Sequence, residues 1–143
     1  MTVALDLARE AAAAGEVPVG CVVVKDGAVI GRGRNRREEK QAIFSHAEME
    51  AIAQANRQLG TWRLDGCDLY VTLEPCPMCA GAIINGRVRR VFYGARDSVM
   101  GACGGVLNLF MENFPNRPEL VGGVLGGECR AVLTEFFSGL RKG

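Results

Sequence analysis

The chain has a single histidine among its 143 residues and almost no net charge, at +1. No apolar run is long enough to span a bilayer, so no membrane partner is expected. There is no internal repeat and no linker rich in proline or serine, which predicts one domain over residues 1–143. The glycines Gly101, Gly104, Gly105, Gly122, Gly123, Gly126 and Gly127 have neither phosphate-loop nor dinucleotide-fingerprint spacing, and read as turns and caps. The first helix candidate, residues 3–14, carries Asp6, Arg9 and Glu10, which the uncharged core of a secretory signal would not. A cytoplasmic location is therefore the expectation, with the six cysteines mostly reduced. Of these, Cys21, Cys67, Cys103 and Cys129 read as small buried hydrophobes. A net charge near zero neither advertises a polyanionic partner nor excludes a local basic face.

The one histidine stands in Ser45-His46-Ala47-Glu48, and a second motif follows in Glu74-Pro75-Cys76-Pro77-Met78-Cys79. Together they give His-x-Glu and Pro-Cys-x-x-Cys. An imidazole and two thiolates are good zinc ligands, and three protein ligands leave a fourth position open for water, as in catalytic sites. Water on zinc ionises near neutral pH. Glu48, not needed as a ligand, is then free to carry protons. Residues two apart on a helix point about 200° apart, so His46 and Glu48 converge only if His46 stands at a helix start. Cys76 reads as an N-cap with Pro77 as the first helical residue, and Cys79 returns to the same face. Both ligand groups would then lie at helix N-termini, where the dipole favours anions. Cys-x-x-Cys by itself is equally compatible with a redox pair, or with a closed structural zinc site completed by another cysteine. The accompanying His-x-Glu points to catalysis.

Along the chain, the first helix ends at Gly15 and an apolar strand follows over 19–24. Asp26-Gly27 is a hairpin signal, and the strand from 28 to about 35 alternates. Arg32, Arg34 and Arg36 share one face of it; Gly31, Gly33 and Asn35 share the other, where glycine permits close approach. A charged loop over 36–41 leads to the His46 helix, which ends at Gly60. Strands are predicted over 68–73 and 88–93, flanking a Cys76 helix that ends near Gly86. A long connection over 94–119, with a short helix at 106–111, permits a crossover to a parallel strand at 120–125. Cys129, Val132, Leu133, Phe136, Phe137 and Leu140 form one stripe on a last helix, read as core packing. This order predicts an α/β fold with a mixed five-stranded sheet and helices on both faces.

Five segments resemble the bacterial tRNA-specific adenosine deaminases, of the cytidine-deaminase-like superfamily. They are Glu-Val-Pro-Val-Gly at 16–20, Gly-Arg-Asn-Arg at 33–36, His-Ala-Glu at 46–48, the run from Leu69 to Gly81 containing Glu-Pro-Cys-Pro-Met-Cys, and Tyr-Gly-Ala-Arg-Asp at 93–97. The zinc motifs belong to the whole superfamily; the 16–20, Asn35 and 94–97 segments point to the tRNA branch. Phe44-Ser45 departs from the Thr-Ala common before the histidine in bacterial members, and the chain ends in a short tail, Arg141-Lys142-Gly143.

The resemblance implies a three-layer α/β/α architecture. It implies one Zn2+ per chain on His46, Cys76 and Cys79, with Glu48 as the catalytic proton shuttle. Val19 and Asn35 would hold a flipped adenosine, the backbone of Ala47 would read the base edge, and Asp97 would line the nucleic-acid groove. The implied reaction is adenosine to inosine at the first anticodon position of tRNA, by a homodimer. Arg32, Arg34, Arg36, Arg37, Arg87, Arg89 and Arg90 would steer a polyanion if they share a face. Two other readings use the same zinc ligands: a small-molecule deaminase acting on guanine or cytosine, and a non-catalytic zinc-binding partner subunit. An unliganded carboxylate at Glu48 argues against the second.

Overall fold

A computed structural model describes residues 1–142; Gly143, the last residue of the tail, lies outside the described residues. The first helix, α1 (Thr2–Ala13), turns Ala4, Leu5, Ala8 and Ala11 inward. Strands β1 (Gly20–Lys25) and β2 (Ala28–Arg34) form an antiparallel hairpin. Its turn is Asp26-Gly27, both at positive φ (50° and 78°), the conformation that matches strand twist in a two-residue loop. Next come α2 (Arg37–Lys40), α3 (Ala47–Leu59), β3 (Cys67–Leu73), α4 (Pro77–Asn85) and β4 (Arg90–Ala95). A 3-10 turn at Leu109–Met111, β5 (Glu119–Val121) and α5 (Gly126–Lys142) complete the chain.

The sheet order is β2-β1-β3-β4-β5. β1 runs antiparallel to both neighbours, while β3, β4 and β5 are mutually parallel. The expected mixed five-stranded sheet between helical layers is therefore present. The larger core lies under α3 and α4, where Ala51, Ala55, Ala80 and Ile83 meet Val23, Leu69, Val71 and Val91. A smaller core on the opposite face joins Leu5 of α1 to Cys129 and Leu133 of α5 and Ala95 of β4. Among the described residues no helix is long and apolar enough to cross a membrane.

Glycines set the depth of packing on both faces. A Cβ on Gly20 would lie 1.9 Å from the carbonyl oxygen of Ala4, so α1 rests directly on β1. A Cβ on Gly31 or Gly33 would come within 2.2 Å of Ala51 O or 2.3 Å of Ala47 O, so α3 rests directly on β2. The group that the Gly31/Gly33 face admits is thus the backbone of α3.

Several boundaries differ from expectation, each for a tertiary reason. Residues 36–41 are not a plain loop: 37–40 form one helical turn. Glu16, 2% exposed and lying between α1 and β1, accepts hydrogen bonds from the amides of Glu38 (3.1 Å) and Glu39 (2.7 Å). That cap is 22 residues away and invisible to a local pattern. The fifth strand ends early because Gly122 packs against the Tyr93 ring and Gly123 turns at φ 81°. The α5 stripe is core only in its first turns. Cys129 and Leu133 are buried against Leu5 and Ala95, whereas Phe137 and Leu140 are exposed and outside that cluster.

Gly33→Ala should therefore lower stability by about 1–3 kcal/mol, the usual range for overpacking, since a backbone oxygen rather than a flexible side chain stands in the way. Gly139→Ala in α5, with open space around its Cβ position, should leave stability unchanged or raise it by up to about 1 kcal/mol. Thermal unfolding of the two variants checks both signs.

Candidate active site

The site stands at the carboxyl ends of the parallel strands β3 and β4, the usual ligand crevice of such sheets. His46 is the N-cap of α3, with extended backbone (φ −79°, ψ 155°), and Cys76 is the N-cap of α4 (φ −76°, ψ 173°) with Pro77 next. Both motifs thus sit at helix starts, as their spacing requires. One helix turn later Cys79 faces the same point.

The Nδ1 atom of His46 lies 3.6 Å from Cys76 Sγ and 3.5 Å from Cys79 Sγ. The three ligand atoms all fall within 4.8 Å of one another, so the group could hold a metal ion. A tetrahedral centre with zinc's ordinary bond lengths to nitrogen and sulfur separates N from S by about 3.6 Å. The donor set and its spacing therefore fit zinc. Charge agrees. Hydrogen bonds from Cys79 and His46 pull the Cys76 thiol down to about 4, making it a thiolate. The hydrogen bond to Cys76 and burial push Cys79 the other way, and the hydrogen bond to Cys76 raises His46. Metal ligands bind deprotonated, so metal binding at this group would release protons.

Glu48 is 4% exposed and stands beside His46 on the wall of a cavity of about 200 Å³. Burial raises its carboxyl to about 7, so both protonation states are accessible near neutrality. The cavity is also lined by Val19, Asn35, Ala47 and Asp97; Cys79 does not line it but lies against His46 and Cys76 behind its wall. Ala47 is fully buried and heads α3, so what it offers is a backbone N–H at a helix start. Asn35 donates through Nδ2 to Val17 O (3.3 Å) and accepts through Oδ1 from the Arg37 amide (3.1 Å). Its amide is thereby fixed in orientation while each polar atom keeps capacity for one further bond. Asp97 accepts from the amides of Val99 and Met100, which folds its loop back on itself.

Val17, Arg37, Leu73, Glu74 and Met100 complete the lining; of these only Arg37 was given a role from the sequence, as a steering cation. Arg37 carried a signal, as the last of an arginine run, and Glu74 stood inside the quoted motif. Val17 and Leu73 also stood inside quoted segments; Met100 carried no signal, and only the fold brings it to the cavity. A wider cleft of about 500 Å³ adjoins the cavity through Val17, Leu73 and Asp97, with Arg96, Arg130 and Phe137 on its far side.

The arginines do not share a face. Arg37 reaches the cavity, and Arg34 and Arg36 both pair with Glu39 beside it. Arg89 and Arg90 instead clamp Asp68, each through two hydrogen bonds, at the start of the parallel strands. Arg90 is paired with Asp68 and Ala95 with Leu73. At about 3.3 Å per residue the 89–90 pair is thus about 16 Å from the cavity end. Arg87 lies over the Trp62 ring. Of the arginines named from the sequence, those at 34–37 stand near the cavity and those at 87–90 do not.

If the triangle holds a metal, chelation should lower the thermal midpoint of the protein, and Cys76→Ala should bind less metal and show no such drop. Elemental analysis and unfolding with and without chelator check this.

The chain matches the MafB19-like deaminase family over residues 1–141. It is 49% identical to the tRNA-specific adenosine deaminase of Bacillus subtilis (strain 168), covering 99% of this chain and 89% of that one. A solved structure from work on A-to-I editing by tRNA:A34 deaminases at the wobble position superposes with a TM-score of 0.90 at 43% identity, over 93% of this chain and 97% of that one. A guanine deaminase structure from Nitrosomonas europaea superposes at 0.84 with 28% identity, over 96% and 82%. The cytidine-deaminase-like architecture read from the sequence is thus the one this chain has, and it belongs to the MafB19-like deaminase family, on the branch of the tRNA-specific adenosine deaminases.

Proposed function

We propose that this chain hydrolytically deaminates adenosine to inosine at the first anticodon position of tRNA, with one zinc ion per chain. The observation that carries the reading is the His46-Cys76-Cys79 triangle with a buried, unliganded Glu48 beside it, at one wall of a cavity of about 200 Å³. Pockets that enclose drug-sized molecules begin at about 300 Å³, so this one suits a single base turned out of a loop rather than a whole nucleotide. The adjoining cleft, with arginines on its rim, is where the flanking nucleotides would lie.

His46, Cys76 and Cys79 would hold the zinc, which when bound makes water acidic enough to react near neutral pH. By the chemistry general to zinc deaminases, Glu48 would carry a proton from the attacking water to the adenine ring. It then passes a proton to the departing amino group. Water adds at C6, the C6–N bond breaks, and ammonia leaves. Asn35, held by Val17 and Arg37, and the N–H of Ala47 would orient the base, with Val19 against its face. Asp97 shapes the opposite wall. We place the chain in the cytoplasm, where its substrate is made, as a single domain that acts as a homodimer. The exposed apolar side chains Ile43, Phe44, Val106 and Met111 support the dimer.

Incubated with an anticodon stem-loop carrying adenosine at its first anticodon position, the zinc-loaded protein should produce inosine there, read by sequencing. Binding should weaken as salt rises, because phosphate contacts release counterions. Efficient deamination of free guanine or cytosine with the stem-loop untouched at low salt would move the chain to the small-molecule reading.

Glu48→Ala should keep zinc and the unfolding midpoint while turnover falls by about 10²–10⁴-fold, the usual loss with a proton carrier. Near-normal turnover in that variant would assign the proton transfer to another group.

A further inference from the structure

Between the metal-ligand turn and the cavity wall sits a carboxylate that the chemistry above does not use. Glu74 follows β3 and precedes Pro75-Cys76, and its side chain is 2% exposed. Its Oε1 accepts from the amide of Asp97 (3.1 Å); its Oε2 accepts from the amides of Cys103 (2.9 Å) and Gly105 (2.8 Å). Among the described residues no lysine or arginine pairs with it. The segment 97–105 therefore wraps a buried carboxylate with backbone N–H groups alone. It is fitted closely: a Cβ on Gly101 would lie 2.1 Å from Oε2, and one on Gly105 would lie 1.9 Å from the carbonyl oxygen of Asp97. The same segment supplies Asp97 and Met100 to the cavity, while Glu74 stands two residues before Cys76.

We propose that Glu74 is a positioning residue that clasps the 97–105 wall to the metal-ligand turn and so fixes the shape of the substrate cavity. It lines the cavity, but both of its carboxylate oxygens are engaged by amides of the wall, and it acts through that backbone. This rests on the deaminase reading for its kinetic consequence but not for its structural one. Only a carboxylate offers two acceptors here and no donor; an amide in its place puts an N–H2 group against a converging N–H. A clasp of this kind governs how well the base is held, and leaves the His46-Cys76-Cys79 triangle intact.

The test compares Glu74→Gln with Gly105→Ala, which strains the same ring from the wall's side and covers the case in which the first variant folds poorly. Three quantities are measured on zinc-loaded protein: zinc per chain, exchange of the amides of Asp97, Cys103 and Gly105, and KM and kcat on the stem-loop. Either variant should retain zinc, exchange those amides about tenfold faster or more, and raise KM about tenfold with a smaller change in kcat. The double variant should be little worse than the single ones, since both break one ring. Unchanged exchange and KM, zinc lost in step with activity, or fully additive effects would each overturn the proposal. If the unsubstituted protein leaves the stem-loop unedited, the proposed substrate is wrong. Exchange and zinc content, with KM for whichever base it does deaminate, then still decide the role of Glu74.

Discussion

Backbone contact between α3 and β2 is the constraint on which the site depends. The helix lies on Gly31 and Gly33 with no side chain between, and the carbonyl of Ala47 occupies the space of a missing Cβ. The next residues on either side of Ala47 are His46 and Glu48. Their depth in the molecule, and hence the point where imidazole and carboxylate meet the thiols of α4, is set by this seating. A longer side chain at residue 33 would lift the start of α3 and move His46 away from Cys76 and Cys79. Interior packing leaves little slack to absorb such a shift.

Around that fixed point the two rims of the cavity are built alike. Glu16 holds α2, and with it Arg37 and the partner of Asn35, through two backbone amides. Glu74 holds the 97–105 wall through three. In each case a buried carboxylate spends its oxygens on N–H groups that irregular backbone would otherwise leave unsatisfied, a costly state inside a protein. The rims are loops by conformation but are tied down from within.

Much of this was legible in the sequence where the cause is local. His46 before Ala47-Glu48 and Pro77 after Cys76 specify helix starts by stereochemistry, and both are found where the spacing puts them. Asp26-Gly27 specifies the hairpin for the same reason. What could not be read depends on partners distant along the chain. The helical turn at 37–40 exists through Glu16, β5 is cut short against Tyr93, and Met100 reaches the cavity by the fold of its loop. The arginines at 34–37 and 87–90 look alike as sequence and differ in fact, because Asp68 takes up Arg89 and Arg90 at the other end of the sheet.

The mixed sheet also divides the chain in time. β1 and β2 are joined by a two-residue turn and can zip as a local hairpin on the microsecond scale. β3, β4 and β5 are parallel and pair only across intervening segments, so their closure is slower. His46 follows the fast unit, while Cys76 and Cys79 belong to the slow one, and β1 against β3 is the seam between them. The triangle of His46, Cys76 and Cys79 forms only where the two units have joined: neither can display it alone. A metal that binds there selects chains in which the two halves have already joined.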